Sequence, residues 1–281
     1  MNTNSKGVLI TGTSSGMGLA AAIAAAQNGW HVVATMRDTT KSDRLLSAAA
    51  EAGVSLELRA LDVTDPASVE ECLAGLDHLD ALVNNAGAGH LGTLELESVQ
   101  AVRAVMEVNF FGVLNVTKAA LPLLRASKGR VVTVTSVGGV IGQPFNEAYC
   151  AAKFAAEGFM ESLAPVASAV GVSVSVIEPG AVASEFVNNV GGRNAVVDQA
   201  GPYAPALSAY LERTRGAFAN AQTSQDVAAQ IVALLEAEEP PFRVLTSDTA
   251  RAFAGAKLKD LDGSSVQSLT RSWIAQPAPA A

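Results

Sequence analysis

Tyr149 and Lys153 stand four residues apart in the run "YCAAK", and Ser136 closes "VTVTS" thirteen residues before the tyrosine. On a helix that spacing puts the phenol and the ammonium on one face. The chemistry open to such a pair is proton transfer. A free tyrosine titrates at about 10, so it needs help near neutral pH, and a neighbouring cation favours the phenolate. Packing offers a competing account of each residue. A helical tyrosine with lysine at i+4 can be a packed ring under a snorkelling amine. A serine ending a strand can serve a turn, and Asn109 in "VNFFG" can cap or kink a helix. The rest of the chain has to decide.

The elements that would hold these residues are legible. Short β-rich runs fall at 7–11, 31–36, 55–62, 80–85, 129–136, 172–179 and 242–247, with longer Ala-rich stretches between them. Their centres are apolar without clean alternation, as in strands covered on both faces. The longest helical stretches are 98–126 and 147–170. Strand and helix in alternation predict an α/β, doubly wound parallel sheet of seven strands with helices on both sides. No linker divides the chain, so one domain is expected across 1–281, without internal repeats. The strongest break in pattern, "SEFVNNVGGRNAVVDQAGPYAP", follows the sixth strand, where a substrate lid of about 184–220 would sit. The end, 275–281, reads as a loose tail.

"VLITGTSSGMGLAAAIAAA" is a strand, a glycine turn and a helix, with Gly12, Gly16 and Gly18 spaced G-x-x-x-G-x-G. Glycine permits positive φ and lets a pyrophosphate approach the backbone. The helix N-terminus then offers free N–H groups and partial positive charge. The second strand ends "ATMRD". An acidic residue there would hold a ribose hydroxyl, whereas Arg37 can pair with a 2′-phosphate and stack on adenine, with Ser14 adding a hydroxyl. NADP is therefore the expected cofactor, with NAD the alternative in which Asp38 meets the ribose.

Bulk properties narrow the class. The 281 residues carry 19 Lys+Arg against 27 Asp+Glu, a formal charge of −8, and are 49% hydrophobic. An acidic surface repels phosphate backbones, so no nucleic-acid partner is expected. Two cysteines imply no disulfide framework and suit a reducing cytoplasm. The three histidines and two cysteines are scattered, so no metal site is expected. No signal peptide and no membrane-spanning helix is expected either.

"TGTSSGMG", "NNAG" (84–87), Asn109, Ser136, "YCAAK" and "PGAVAS" (179–184) together resemble, in order and spacing, the short-chain dehydrogenase/reductase family in its compact form. The resemblance covers roughly 6–250, and jointly these motifs favour chemistry over packing. It implies that Tyr149 exchanges a proton with the substrate oxygen while hydride moves to or from a nicotinamide. Lys153 would lower the tyrosine and hold the nicotinamide ribose. Ser136 would bond the same substrate oxygen, and Asn109 would hold a water linking Lys153 to solvent. The cofactor set it implies includes Ser15 and Met17 in the glycine turn, and Asp62 and Val63 at the adenine edge. Asn84, Ala86 and Gly87 would line the ribose side, with Pro179, Gly180, Val182 and Ser184 nearer the carboxamide.

Between 136 and 180, and at "ATMRD", the sequence is similar to the 17β-hydroxysteroid dehydrogenase type 1 and photoreceptor retinol dehydrogenase branch. This implies an apolar alcohol or ketone substrate, a steroid first, with 17β-oestradiol to oestrone the most concrete form. Val137, Gly138 and Val140 would make an apolar wall beside Ser136. Phe186, Val187 and Val190 of the lid and a helix at 203–218 would close the pocket. Gln143 stands where that branch has an apolar residue, and no histidine follows the lid; Glu212 is a candidate acceptor or a solvent-facing residue. Retinoids, other carbonyls and 3-oxoacyl thioesters are alternative substrates. A non-catalytic dinucleotide-binding regulator is the reading from another class. The helices 98–126 and 147–170 are apolar-rich, and the resemblance implies that they form a symmetric two-fold interface, hence a homodimer, or a homotetramer as in many relatives.

Overall fold

The structure, a computed structural model, describes residues 6–183, 197–218 and 221–274. Six strands come first: β1 (Gly7–Thr11), β2 (His31–Met36), β3 (Glu57–Ala60), β4 (Ala81–Asn84), β5 (Arg130–Val134) and β6 (Ser173–Glu178). A two-residue pair, β7 (Val182–Ala183) with β8 (Gln222–Thr223), stands apart from the main sheet, and β9 (Arg243–Leu245) completes it. The main sheet has seven strands in the order β3-β2-β1-β4-β5-β6-β9, all parallel. The chain winds outward from β1 through β3, then returns to place β4 on the other side of β1. That reversal opens a crevice beyond the C-terminal ends of β1 and β4.

Both faces of the sheet are covered, which explains why the strand centres lack alternation. In β1, Val8 and Ile10 pack with Val32, Ala34 and Val83 on one face, while Leu9 joins Val33, Leu82 and Val131 on the other. The first face is closed by α1 (Gly16–Gln27), whose buried alanines let it approach the sheet closely. The helices α2 (Asp43–Ala52), α3 (Pro66–Leu73), α4 (Val99–Met106), α5 (Gly112–Ser127) and α6 (Glu147–Ser168) follow. After them come α7 (Ala204–Phe218), α8 (Ser224–Glu236), α9 (Asp248–Leu258) and α10 (Ser264–Ser272). Val113, Val116, Ala120 and Leu124 of α5 fill the second face together with Met160 and Ala167 of α6.

The stretch expected as one helix over 98–126 is divided. Between α4 and α5 lies a π-helical turn, Glu107–Phe111. Periodicity does not reveal it, because the apolar pattern runs through the wider turn unbroken. The span Val99–Ser127 is long and apolar enough by composition to cross a membrane, yet its inward face supplies the core. Most strands are shorter than expected, since hydrogen-bonded pairing ends before the apolar runs do. The residues 184–196 of the expected lid, with Phe186, Val187, Val190 and Arg193, lie outside the described residues, as does the tail 275–281.

Candidate active site

The glycine turn leaves β1 with Gly12 at φ 72° and Gly16 at φ 59°, a region that favours glycine. Space is also demanded: a Cβ on Gly12 would lie 2.8 Å from Ala86 Cα, and one on Gly18 would lie 2.2 Å from Gly12 O. The turn is braced from β4. Asn85 Nδ2 donates to Thr11 O at 2.9 Å and Gly12 O at 3.0 Å, and the Asn85 and Ala86 amides both donate to Thr11 Oγ1 at 2.9 Å. Ser15 precedes α1 in extended conformation without a side-chain cap, leaving the first-turn amides for another acceptor. Gly18→Ala is expected to destabilise the fold by about 1–3 kcal/mol, because backbone rather than a flexible side chain blocks the new methyl. Thermal unfolding checks this, and an unchanged midpoint contradicts the close packing.

Beyond β5, Ser136 opens a single 3₁₀ turn, Val137–Gly139, and accepts the Gly138 amide at 3.0 Å. The Val137 amide donates to Pro179 O at 3.0 Å, so the Ser136 turn is stitched to the end of β6. Tyr149, in the first turn of α6, hydrogen-bonds Ser136. Lys153 is 4% exposed; its Nζ donates to Val134 O at 3.1 Å and stands 5.8 Å from the Tyr149 ring centre. A Cβ on Gly138 would lie 3.3 Å from Tyr149 Cε1 and 3.2 Å from Gln143 Nε2, so this glycine keeps room where Ser136, Tyr149 and Gln143 meet.

The electrostatics differ from the sequence-based expectation. Burial pushes the Tyr149 phenol up to about 12, with Ser136 opposing the rise, and pulls Lys153 down to about 8. In the protein alone the lysine therefore does not make the tyrosine acidic. Desolvation penalises both charged forms and is the largest cause of each shift.

Asn109 lies in the π-helical turn and is 0% exposed. Its Nδ2 donates to Ala88 O and Val105 O, each at 3.0 Å, and its Oδ1 accepts the Ala88 amide at 3.2 Å. The Asn109 side chain thus fixes the loop after β4. That loop carries Gly87, where a Cβ would lie 2.9 Å from Asn109 Oδ1 and 3.6 Å from Lys153 Nζ. The uncapped start of α1 and the glycine turn, where the backbone is left without side chains at Gly12, Gly16 and Gly18, are what a dinucleotide's phosphates require, so these residues fit the cofactor.

Other expected residues are placed differently. The Asn84 side chain is buried and donates to Thr117 Oγ1 at 2.8 Å, turned into the core rather than toward the ribose side. Asp62 accepts from the Thr64 amide at 2.9 Å and hydroxyl at 2.7 Å, while Val63 is packed against Gly112. Val140 packs with Ile141, Ala254 and Val266 instead of forming a wall beside Ser136. Glu212 faces water, paired with Arg215 at 2.5 Å. Arg37 is exposed just past β2, Gly180 is half-buried, and Val182 is buried in the β7–β8 pair. Ser14 lies in the turn and Met17 in the first turn of α1, both half-buried. Ser184 lies outside the described residues.

Two contributors were missed by sequence reasoning. Asn85 locks the glycine turn; its neighbour Asn84 drew attention because both sit in "NNAG", and only the register of β4 tells them apart. The other is the seat of α7. Leu207, Tyr210 and Leu211 pack with Phe145 and Trp273, and Asn146 Nδ2 donates to the Tyr210 hydroxyl at 2.8 Å. This anchors the helix beside the start of α6.

A family profile described as short chain dehydrogenase matches residues 6–194. The chain is 40% identical to retinol dehydrogenase 8 of Bos taurus over 269 residues, covering 92% of this chain and 86% of that one. It is 39% identical to 17-beta-hydroxysteroid dehydrogenase type 1 of Mus musculus, covering 92% of this chain and 78% of the other. Among solved structures, a short-chain dehydrogenase from Streptomyces avermitilis superposes with a TM-score of 0.75 at 30% identity, covering 97% of each chain.

Proposed function

The chain belongs to the short-chain dehydrogenase family and is an NAD(P)-dependent oxidoreductase; on that footing we propose that it interconverts a secondary alcohol and a ketone on a 17β-hydroxysteroid, with NADP as cofactor. The observation that carries the reading is the meeting of Ser136, Tyr149 and Lys153 in the crevice at the end of β5. A bound nicotinamide would supply or accept the hydride. Ser136 and Tyr149 hold the substrate oxygen between two hydroxyls, and the phenol delivers its proton as a ketone becomes an alcohol, or takes one in the reverse direction. Lys153, close to the ring, would steady the phenolate and hold the ribose hydroxyls of the bound cofactor. Asn109 keeps the loop at Gly87 in place around that ammonium.

The substrate class follows from the relatives' names, which point to a small apolar alcohol or ketone. Gln143 adds one amide close to Tyr149, a polar partner for a ring substituent. The identity to retinol dehydrogenase 8 equals that to the steroid enzyme within a point or so, which favours retinol as the second reading. A panel of 17β-oestradiol, other hydroxysteroids, all-trans-retinol and simple alcohols, each with NADP and NAD, separates them by nicotinamide absorbance. Turnover of 17β-oestradiol at least tenfold above retinol is the expected result; the reverse order replaces the steroid with a retinoid.

Phe111, Phe159 and Val166 remain exposed on the outer side of the π-helical turn and α6, with Phe110 edge-to-face to both phenylalanines. A homodimer through this face is part of the proposal, as is a cytoplasmic location, in keeping with two buried free thiols.

A further inference from the structure

Glu157 follows Lys153 by one helical turn on α6 and is 4% exposed, unusual for a helical glutamate. It stands with Glu178, the last residue of β6, which is fully buried, around one guanidinium, and Glu157 Oε1 and Glu178 Oε2 are both buried without a hydrogen-bond partner. Arg243 of β9 grips both: its Nε lies 2.5 Å from Glu178 Oε1 and its Nη2 3.4 Å from Glu157 Oε2. Thr135, which follows β5, donates its hydroxyl to Ile177 O at 3.1 Å, beside Glu178. The cluster thus joins the strand leading to Ser136, the helix bearing Tyr149 and Lys153, and the strand leading to Pro179.

Two buried carboxylates facing one guanidinium leave one negative charge without a partner, so the pair holds a proton more readily than exposed carboxylates do. While that proton stays, Arg243 balances the one remaining carboxylate and the Lys153 charge has no counterpart. Once it leaves, two carboxylates balance the guanidinium and the ammonium. The other charged groups nearby stand in solvent: Glu161 on α6, 3.9 Å from Arg243, and Arg251 on α9, paired with Asp248 at 2.7 Å.

We propose that Glu157 and Glu178 are positioning residues for Lys153, a buried carboxyl pair that supplies the negative charge keeping the active-site lysine protonated. Burial pulls Lys153 down to about 8 while Glu157 opposes that fall, and burial lifts Glu178 to about 7. Loss of the pair's proton near neutrality therefore delays loss of the lysine's proton, and the groups titrate as one unit. The inference rests on the active-site assignment made above.

The test is the pH profile of NADPH-dependent reduction of oestrone, or of all-trans-retinal if the panel selects it. Reduction needs a charged lysine, so its rate falls on the alkaline side. Glu157→Gln and Glu178→Gln each keep the side-chain shape and remove one negative charge, and each is expected to move that fall about one pH unit lower. Glu161→Gln, on the same helix but exposed, should leave it in place. A second reading uses no cofactor. With Glu178 raised from 4.5 to about 7, the folded state holds a proton that the unfolded chain has lost, so stability declines as pH rises across that window. Glu178→Gln should flatten the decline. Either glutamine variant decides the matter if the other fails to fold. Lower kcat with an unmoved alkaline fall, or an unchanged stability slope, overturns the proposal by leaving the pair a packing role alone. Turnover that survives Tyr149→Phe overturns the active-site assignment itself.

Discussion

Tyr149→Phe is expected to lower kcat by roughly 10³-fold in both directions while NADPH affinity stays within about twofold. The phenylalanine keeps the ring that stands beside Lys153 and packs with Val105, Ala148 and Ala152. It removes only the hydroxyl that bonds Ser136 and that is proposed to exchange the proton. A steady-state assay paired with NADPH fluorescence titration checks both halves. Retained turnover would take Tyr149 out of the proton step, and a matching collapse of cofactor affinity would mean the hydroxyl holds the site together rather than doing chemistry. The direction of pH dependence follows from the same group. Held up at about 12 by burial, the phenol is protonated at neutral pH and ready to donate, which suits reduction. Oxidation needs the phenolate, so its rate should climb as pH rises through the alkaline range, all the more when a cationic oxidised nicotinamide lies alongside. An oxidation rate independent of pH would argue for another base.

Arg37→Asp should cut kcat/KM for NADPH relative to NADH by roughly 30-fold, mostly through KM, because a charge-assisted pair with the 2′-phosphate becomes a repulsion. The structure favours Arg37 over its neighbour for this contact. Asp38 is already used: it accepts from the Thr40 amide at 3.1 Å and hydroxyl at 2.6 Å, and pairs with Lys41 at 3.2 Å. Those bonds hold its carboxyl below the usual range, so it stays ionised and turned to its own loop. Arg37 remains exposed at the C-terminal edge of β2, beside the glycine turn. Because the proposed pair would form in solvent, the expected preference for NADPH should weaken with added salt. Equal responses of both cofactors to the substitution would remove Arg37 from the phosphate.

What the sequence determined by itself is local. Apolar runs of strand length, such as 7–11 and 31–36, and glycines at fixed offsets before an Ala-rich helix specify β1, β2 and the turn between them. Their pattern depends only on neighbours along the chain. The i, i+4 spacing of Tyr149 and Lys153 likewise needs only a helix to put them together. Tertiary structure decided the rest. The strand order that opens the crevice, the pairing of Val182 with Gln222 and the choice of Asn85 over Asn84 all depend on contacts between residues far apart in sequence. So does the charge state of the site. Whether the phenol is acidic, or Glu157 is a solvated helix residue or half of a buried pair, is set by desolvation. Desolvation exists only once β5, β6, β9 and α6 have closed around those groups.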